Sequence, residues 1–398
     1  MYTPRPLAEN IFYVGVNDRQ KELFENYLPL PFGVAYNSYL IVDEKVALID
    51  TVDINFAHNL FGKIDAILNG RQIDYLIVNH MEPDHAGSID LLRHKYPNVQ
   101  IVANVKSKDM LSGYFGITSN ILEVKEGDVL NLGKRTLTFF MMPMVHWPEV
   151  MVTYENTDSI LFSADAFGTF GTNDGDYLDE NLNTDKYWDE MRRYYACIVG
   201  KFGVPVQNAL KKLSALPISM ICSTHGPVWK KEIAKVVGLY DRWSRYEAEE
   251  GLVIAYASMY GHTQLMAEAV AEGAIAGGIK NVVIHNVSKT DSSFILADIF
   301  KYNGLVLGCP TYMGELYPLI EKLVAGIQHR GIKNRVYSCF GSFTWAGAAA
   351  KKLTVLAETM KWELVGTPVE NKQNVSAEKY RECFEMGLEI AKKMSVKY

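Results

Sequence analysis

The sequence is short of cysteine, of long apolar runs, of positive charge and of low-complexity tracts. Each shortage removes a class of protein. Five cysteines stand among 398 residues, at Cys197, Cys222, Cys309, Cys339 and Cys383. They are widely spaced, odd in number and form no CxxC pair. That argues against a disulfide framework, a cysteine zinc site and an iron–sulfur cluster. Buried thiols in a reducing cytoplasm are the expectation. No run of about 18 apolar residues occurs, so no transmembrane helix is expected. The opening Met1-Tyr2-Thr3-Pro4-Arg5-Pro6 lacks a basic stretch followed by an apolar one, so no signal peptide is expected. The net charge is -6, with no Lys/Arg run. No nucleic-acid partner is expected from that balance. No internal repeat or low-complexity segment is visible.

What is present fits two globular domains. The chain is too long for one domain of ordinary size. Its 48% apolar and 22% charged residues are a globular balance. Residues 240–251 are polar and charged, and an apolar run follows at 252–257. The boundary is placed near Glu250, giving domains at 1–250 and 251–398. In the first, short β-runs are expected at residues 37–42, 45–50, 75–78, 100–103, 135–142, 150–154, 159–163 and 218–223. Hairpin-like strands followed by β-α alternation suggest two sheets with helices outside. The second alternates strictly. Strands are expected at 252–257, 282–286, 304–307, 335–340 and 363–365, with helices at 263–276, 292–299, 319–326, 346–361 and 377–394. Five βα units imply a doubly wound parallel sheet, with its ligand beyond the carboxyl ends of the strands.

The first domain carries a concentration of ligand-capable groups. The strand at 75–78 runs into a loop holding His80, Glu82, Asp84 and His85. On an extended loop, His80, Glu82 and Asp84 would share one face, with His85 starting the next turn. His146, Asp165 and His225 each follow an apolar run as a lone polar group. A single histidine after a strand is more often a hydrogen-bonded core residue than a ligand. Seven such groups on four strand ends are harder to explain that way. Four imidazoles and three carboxylates are too many for one ion and suit two ions sharing a bridging carboxylate.

The pattern His80-x-Glu82-x-Asp84-His85, with His146, Asp165 and His225 downstream, resembles the metallo-β-lactamase fold. Most of that superfamily reads His-x-His-x-Asp-His and binds zinc. Here Glu82 stands at the second histidine, and the added carboxylate shifts preference toward iron. That variant resembles the flavodiiron protein family, over essentially the whole chain. The resemblance implies an αββα sandwich followed by a flavodoxin-like sheet. It implies one iron on His80, Glu82 and His146, another on Asp84, His85 and His225, and Asp165 bridging. These seven would also be the catalytic residues.

The second domain offers a strand-to-helix turn, Ser258-Met259-Tyr260-Gly261-His262-Thr263. Hydroxyls and N–H groups at a helix start form an anion site. It is not a Walker A loop, which disfavours a nucleoside triphosphate. A helix-capping turn is the plain reading. The turn resembles the flavodoxin phosphate loop, which implies that Ser258, Tyr260, Gly261, His262 and Thr263 cradle the FMN phosphate. The family often has a smaller or amide side chain where His262 stands. Pro310-Thr311-Tyr312-Met313-Gly314 and Gly341-Ser342-Phe343-Thr344-Trp345-Ala346-Gly347 follow two further strands. The resemblance implies isoalloxazine contacts from both, with Tyr312 and Trp345 as ring neighbours. Gly341 and Gly347 would let the backbone approach closely. Phe343-Thr344 departs from the family's Tyr-Gly. Core packing is the plain reading for each aromatic.

The activity the resemblance implies is reduction of O2 to water, of NO to N2O, or of both. FMN would relay electrons from an external donor, a rubredoxin-like protein or reduced coenzyme F420. No fused rubredoxin domain is expected, since no CxxC pair is present. Trp147 would wall the pocket, and Tyr194 or Tyr195 would line it or else serve core packing. A head-to-tail homodimer, or a pair of dimers, would bring the two cofactors together. Two other readings compete. One is a zinc hydrolase acting through a metal-bound hydroxide, against which Glu82 and the flavin domain argue. The other is an electron carrier or redox sensor whose metal only stabilises the fold.

Overall fold

The structure is a computed structural model that describes residues 4–395. Residues 1–3 and 396–398, including half of the amino-terminal hexapeptide read above, lie outside the described residues. Two compact units emerge, Met1–Tyr194 with Val204–Asp241, and Tyr195–Gly203 with Arg242–Tyr398. This division falls at Asp241 and Arg242, whereas composition put it near Glu250.

The first unit holds a seven-stranded sheet: β1 (Pro6–Ala8), β2 (Ile11–Tyr13), β3 (Tyr39–Val42), β4 (Val46–Ile49), β5 (Tyr75–Ile77), β6 (Gln100–Ala103) and β7 (Ile121–Glu123). Its strands lie side by side in chain order. The first four are antiparallel hairpin neighbours and the last four run parallel. A second sheet of five follows: β8 (Val129–Asn131), β9 (Thr136–Met141), β10 (Met151–Glu155), β11 (Ile160–Phe162) and β12 (Met220–Cys222). It is antiparallel except for β11 against β12.

Alternation along these strands builds the core. Ile41, Ala47, Ile49, Ile77 and Val102 of the first sheet cluster with Leu137, Phe139, Met151, Ile160 and Phe162 of the second. Every residue of β4 is buried, so both its faces are covered, as a strand with helices outside it requires. The eight expected strands all form. The pairs Val16–Asp18 with Val34–Tyr36 and Leu23–Phe24 with Leu28–Pro29 were not expected, nor were β7 and β8. At two or three residues each, they are too short for a period of two to register.

In the second unit, β13 (Glu249–Tyr256), β14 (Val282–Asn286), β15 (Tyr302–Pro310), β16 (Val336–Phe343) and β17 (Glu363–Leu364) stand in the order β14-β13-β15-β16-β17. All are parallel. This is the doubly wound order with its switch point between β13 and β15. The expected fifth strand forms as β17 and then stops. Gly366 at φ +69 and Pro368 interrupt it, and β18 (Val369–Lys372) resumes pairing on β16. Helices His262–Ala276 and Ala377–Ser395 pack closely because Gly273 is bare: a Cβ there would meet the Phe384 carbonyl oxygen at 1.9 Å. Among the described residues, no helix is long and apolar enough to cross a membrane.

Candidate metal centre and flavin cleft

Four strand ends deliver the metal candidates. His80 follows β5, His146 lies between β9 and β10, Asp165 follows β11 and His225 follows β12. Glu82 is the last extended residue of its loop, at φ -63 and ψ 136. Pro83 then starts a short helix, Pro83–Ala86, so Asp84 and His85 project from helical backbone. The expectation of one extended face from His80 to Asp84 is therefore corrected. Proline fixes φ near the helical value and suits the first helical position, so alternation ends at Glu82.

All seven side chains are nonetheless brought together, and all are buried. His146 Nε2 lies 3.1 Å from Glu82 Oε2 and 3.0 Å from Asp165 Oδ2. His80 Nε2 lies 3.4 Å from Glu82 Oε2 and 3.6 Å from Asp165 Oδ2. On the other side, His85 Nε2 lies 3.2 Å from Asp84 Oδ1 and 3.1 Å from Asp165 Oδ1. His225 Nε2 lies 3.2 Å from Asp84 Oδ2 and 3.6 Å from Asp165 Oδ1. Asp165 thus turns one oxygen to each of two three-residue sets. The hydroxyl of Thr224 also donates to Asp165 Oδ1.

Side chains and carbonyls behind the cluster aim it. Glu149 Oε1 accepts from His80 Nδ1 at 2.6 Å and from the Met81 N–H at 3.0 Å. His225 Nδ1 donates to the Ala35 carbonyl at 2.8 Å. Each bond leaves Nε2 free to face the cluster. Asp50 Oδ1 accepts from the Asn79 N–H at 2.8 Å and anchors the start of the loop, and burial pushes its carboxyl up to about 6. The Trp147 ring packs edge-on to His80 at 5.2 Å. Of the two tyrosines weighed, Tyr194 faces the cluster, with its ring 5.6 Å from His225. Tyr195 packs instead on Trp243 and Phe300. Glu25 also bonds Glu82, and burial, reinforced by the Glu82 charge, pushes its carboxyl up to about 7.

Burial by itself would lower the histidines. The carboxylates outweigh it: bonds to Asp165 and Glu82 push His146 up to about 10, and His80, His85 and His225 are raised as well. Burial would raise Asp165, but the His85 charge and the His146 bond hold it well below the usual range. The site demands positive charge, from protons or from metal ions. His80 Nε2, both oxygens of Asp84, both nitrogens of His85 and His225 Nε2 are buried without a hydrogen-bond partner. Native interiors rarely leave so many polar atoms unsatisfied in one place, and metal ligation would satisfy them. The residues fit a two-ion centre.

The second unit has a cavity of about 400 Å³ at the carboxyl ends of β13, β15 and β16. Met259, Tyr260, His262, Thr263, Pro310, Thr311, Tyr312, Met313, Gly314, Ser342, Phe343, Thr344, Trp345 and Ala346 line it, with Gln373 added. Tyr260 and Trp345 are 86% and 88% exposed, which rules out core packing for both. The loops are tied to one another. Thr263 Oγ1 and Ser342 Oγ are 2.9 Å apart. Thr311 Oγ1 accepts from the N–H groups of Ala348 and Ala349, capping the helix Ala349–Met360 across two loops.

Ser258, Gly261, Gly341 and Gly347 do not line the cavity. Ser258 Oγ accepts from the Gly261 N–H at 3.1 Å, holding the turn, and Gly261 sits at φ +94 where a side chain would be strained. A Cβ on Gly341 would stand 2.7 Å from the Ala350 nitrogen, so its bareness serves helix packing. The shape and apolar rim of the cleft, open beside a helix start, fit a flat ring system bearing an anionic group.

Residues 34–226 match the family described as ODP family beta lactamase, and residues 254–387 match flavodoxin. Fold and sites together therefore define a lactamase-type metal domain joined to a flavodoxin-type domain. A nitric oxide reductase of Moorella thermoacetica is 32% identical over 99% of this chain and 100% of its own length. An anaerobic nitric oxide reductase flavorubredoxin of Pectobacterium atrosepticum is 32% identical over 98% of this chain and 77% of its own. The rubredoxin oxygen:oxidoreductase of Desulfovibrio gigas superposes with a TM-score of 0.95 at 27% identity, over 99% of both chains. The flavodiiron protein of Giardia intestinalis does so with 0.95 at 26%, over 100% of this chain and 98% of that one. The chain belongs to the flavodiiron protein family, as the ligand motif implied.

Proposed function

We propose that this chain is an oxidoreductase that reduces O2 to water, NO to N2O, or both, at a non-haem di-iron site in residues 1–250. Residues 251–398 would hold FMN, which would supply the electron relay. The observation that carries the reading is Asp165 presenting Oδ2 to His80 and His146, which also face Glu82, and Oδ1 to His85 and His225, which also face Asp84. Those seven are the ligands in this proposal, with Asp165 bridging. The FMN contacts fall on the loops of Ser258–Thr263, Pro310–Gly314 and Ser342–Gly347. A fused flavodoxin-type domain and relatives named as reductases favour the oxidoreductase reading over the hydrolase one.

Two irons supply a gas-binding Lewis-acid pair and two electrons, and reduced FMN supplies two more. Four electrons and four protons take O2 to two waters, and two of each take two NO to N2O and one water. The chain's own groups do the rest. Glu149 and the Ala35 carbonyl hold His80 and His225 in the tautomer that aims Nε2 inward. The Tyr194 hydroxyl is buried without a partner and can donate toward the cluster. Glu25, its carboxyl pushed up to about 7 by burial, stands beside Glu82. Phe24 and Phe170 pack around Tyr194 and exclude bulk water from that side.

The electron donor in this proposal is external, a rubredoxin-like protein or reduced coenzyme F420. The assembly is a head-to-tail homodimer or a pair of dimers, which light scattering would distinguish. The deciding experiment is metal and flavin analysis, followed by anaerobic reduction and a pulse of O2 or NO on an electrode. About two irons and about one FMN per chain with rapid gas uptake support the proposal. Zinc alone with no uptake defeats it.

A further inference from the structure

Among the described residues, no Lys, Arg, Asp or Glu lines the flavin cleft. One carboxylate stands directly behind its third loop, residues 342–347. Glu370 lies on β18, paired in register with Gly341 on β16. Its carboxyl group occupies the space that two bare glycines leave. A Cβ on Gly341 would stand 3.1 Å from Glu370 Oε1, and one on Gly347 would stand 2.8 Å from its Cδ. Those glycines flank the loop, so the carboxyl is held against the loop's base. Its Oε1 is buried with no hydrogen-bond partner, and among the described residues no ion pair covers the group. Of the basic side chains nearby, Lys352 pairs with Glu315, and Lys372 is exposed to solvent. The charge is felt beyond the loop. Burial raises the thiols of Cys309 and Cys339, and Glu370 adds to the rise. Cys309 directly precedes Pro310 of the cleft wall. A part-buried carboxylate without a partner is costly, and packing alone would favour an apolar side chain there.

We propose that Glu370 lowers the reduction potential of the bound flavin, its carboxylate opposing the negative charge that the ring gains on reduction. The inference rests on the FMN reading given above. Taking up two electrons and one proton turns a neutral isoalloxazine into an anion, and no Lys or Arg lines the cleft to offset it. A carboxylate on the far side of one loop therefore favours the oxidised ring. At roughly 10 Å and an effective dielectric of about 20, one unit charge shifts such a balance by about ten-fold. For a two-electron couple, ten-fold is about 30 mV. The effect falls on the reduced state, because the oxidised ring is neutral. Glu370 does not line the cleft and acts through its field alone. A lower potential makes the flavin a stronger donor, the direction that a relay to a gas-reducing centre needs.

The test is an anaerobic redox titration of the full chain carrying its FMN, followed by flavin absorbance against a reference dye. Three forms are compared at one pH. They are the parent, E370Q, which keeps the shape and removes the charge, and E370D, which keeps the charge and shortens the side chain. The expected result is a flavin potential about 30 mV higher in E370Q, equivalent to about ten-fold tighter holding of the reduced flavin. E370D stays close to the parent, and oxidised FMN binds all three alike. An E370Q potential equal to the parent's overturns the inference. So does an equal rise in E370D, which would report packing rather than charge. Loss of flavin from E370Q alone also overturns it, by showing that Glu370 supports the loop. A parent that binds no flavin overturns the FMN reading itself and the inference with it.

Discussion

Replacing Glu149 with glutamine probes how the metal cluster is aimed. Glu149 is buried, and its Oε1 accepts two bonds, from His80 Nδ1 and the Met81 N–H. Its Oε2 has no partner. The His80 bond outweighs burial and holds the carboxyl below its ordinary range, so the acceptor is charged. In E149Q the amide oxygen can keep both bonds, but the charge is gone. Losing charge assistance on the 2.6 Å bond costs about 1 kcal/mol. The amide NH2 then points where Oε2 found no partner, and a buried unsatisfied donor costs about 1–3 kcal/mol. Only the part that lets His80 turn reaches the metal. Loss of such a partner typically weakens metal affinity 10–100-fold, or about 1.4–2.8 kcal/mol. A chelator titration of the iron-loaded protein reads this directly. The expected result is earlier release of iron from E149Q, with the fold retained by circular dichroism. Chelator midpoints identical to the parent would refute the claim that Glu149 positions His80.

Three further outcomes follow from local geometry. Thr311→Val removes the acceptor for the Ala348 and Ala349 N–H groups. It should cost about 1 kcal/mol and speed hydrogen exchange at those two amides, and unchanged protection would count against the cap. Burial pushes Cys309 and Cys383 up to about 12 and Cys339 up to about 11, and raises Cys222. A thiol reagent at about pH 8 should therefore reach Cys197 first in the native chain, and prompt reaction of the others would contradict their burial. Burial also lowers Lys63 from 10.5 to about 8 while its amine donates to the Gly15 carbonyl. Between those values the unfolded chain holds more protons, so stability rises with pH there, by at most ~1.4 kcal/mol per pH unit. Below about 8 both states are protonated and the burial penalty is present in full. Lys63→Met should flatten this slope in urea titrations, and an equal slope in both proteins would reject the assignment.

Much of this molecule was legible from local pattern. His80, Glu82, Asp84 and His85 lie within six residues of one another after an apolar strand, so their clustering needs no tertiary knowledge. His146, Asp165 and His225 announce themselves as lone polar groups ending apolar runs. The five βα units follow from alternating periods, and the chain's strand order then places three loops on one sheet edge. The extra strand β18 and the helical turn at Pro83 were missed, because a single proline or a left-handed glycine decides each.

What only the tertiary structure decided is the arrangement behind and around those residues. Glu149 reaches His80 from 69 positions away, and the Ala35 carbonyl reaches His225 from 190. No period or motif carries such a pairing, since it depends on how the two sheets pack face to face. The same packing selects Tyr194 over its neighbour Tyr195 and orients Asp165 so that its two oxygens part the cluster into halves. Sequence alone determined which chemical groups the chain carries and on which strand ends, because hydrophobic period and ligand type are local properties. Burial and long-range contact decided which of them touch, which stay unsatisfied, and therefore what the site can hold.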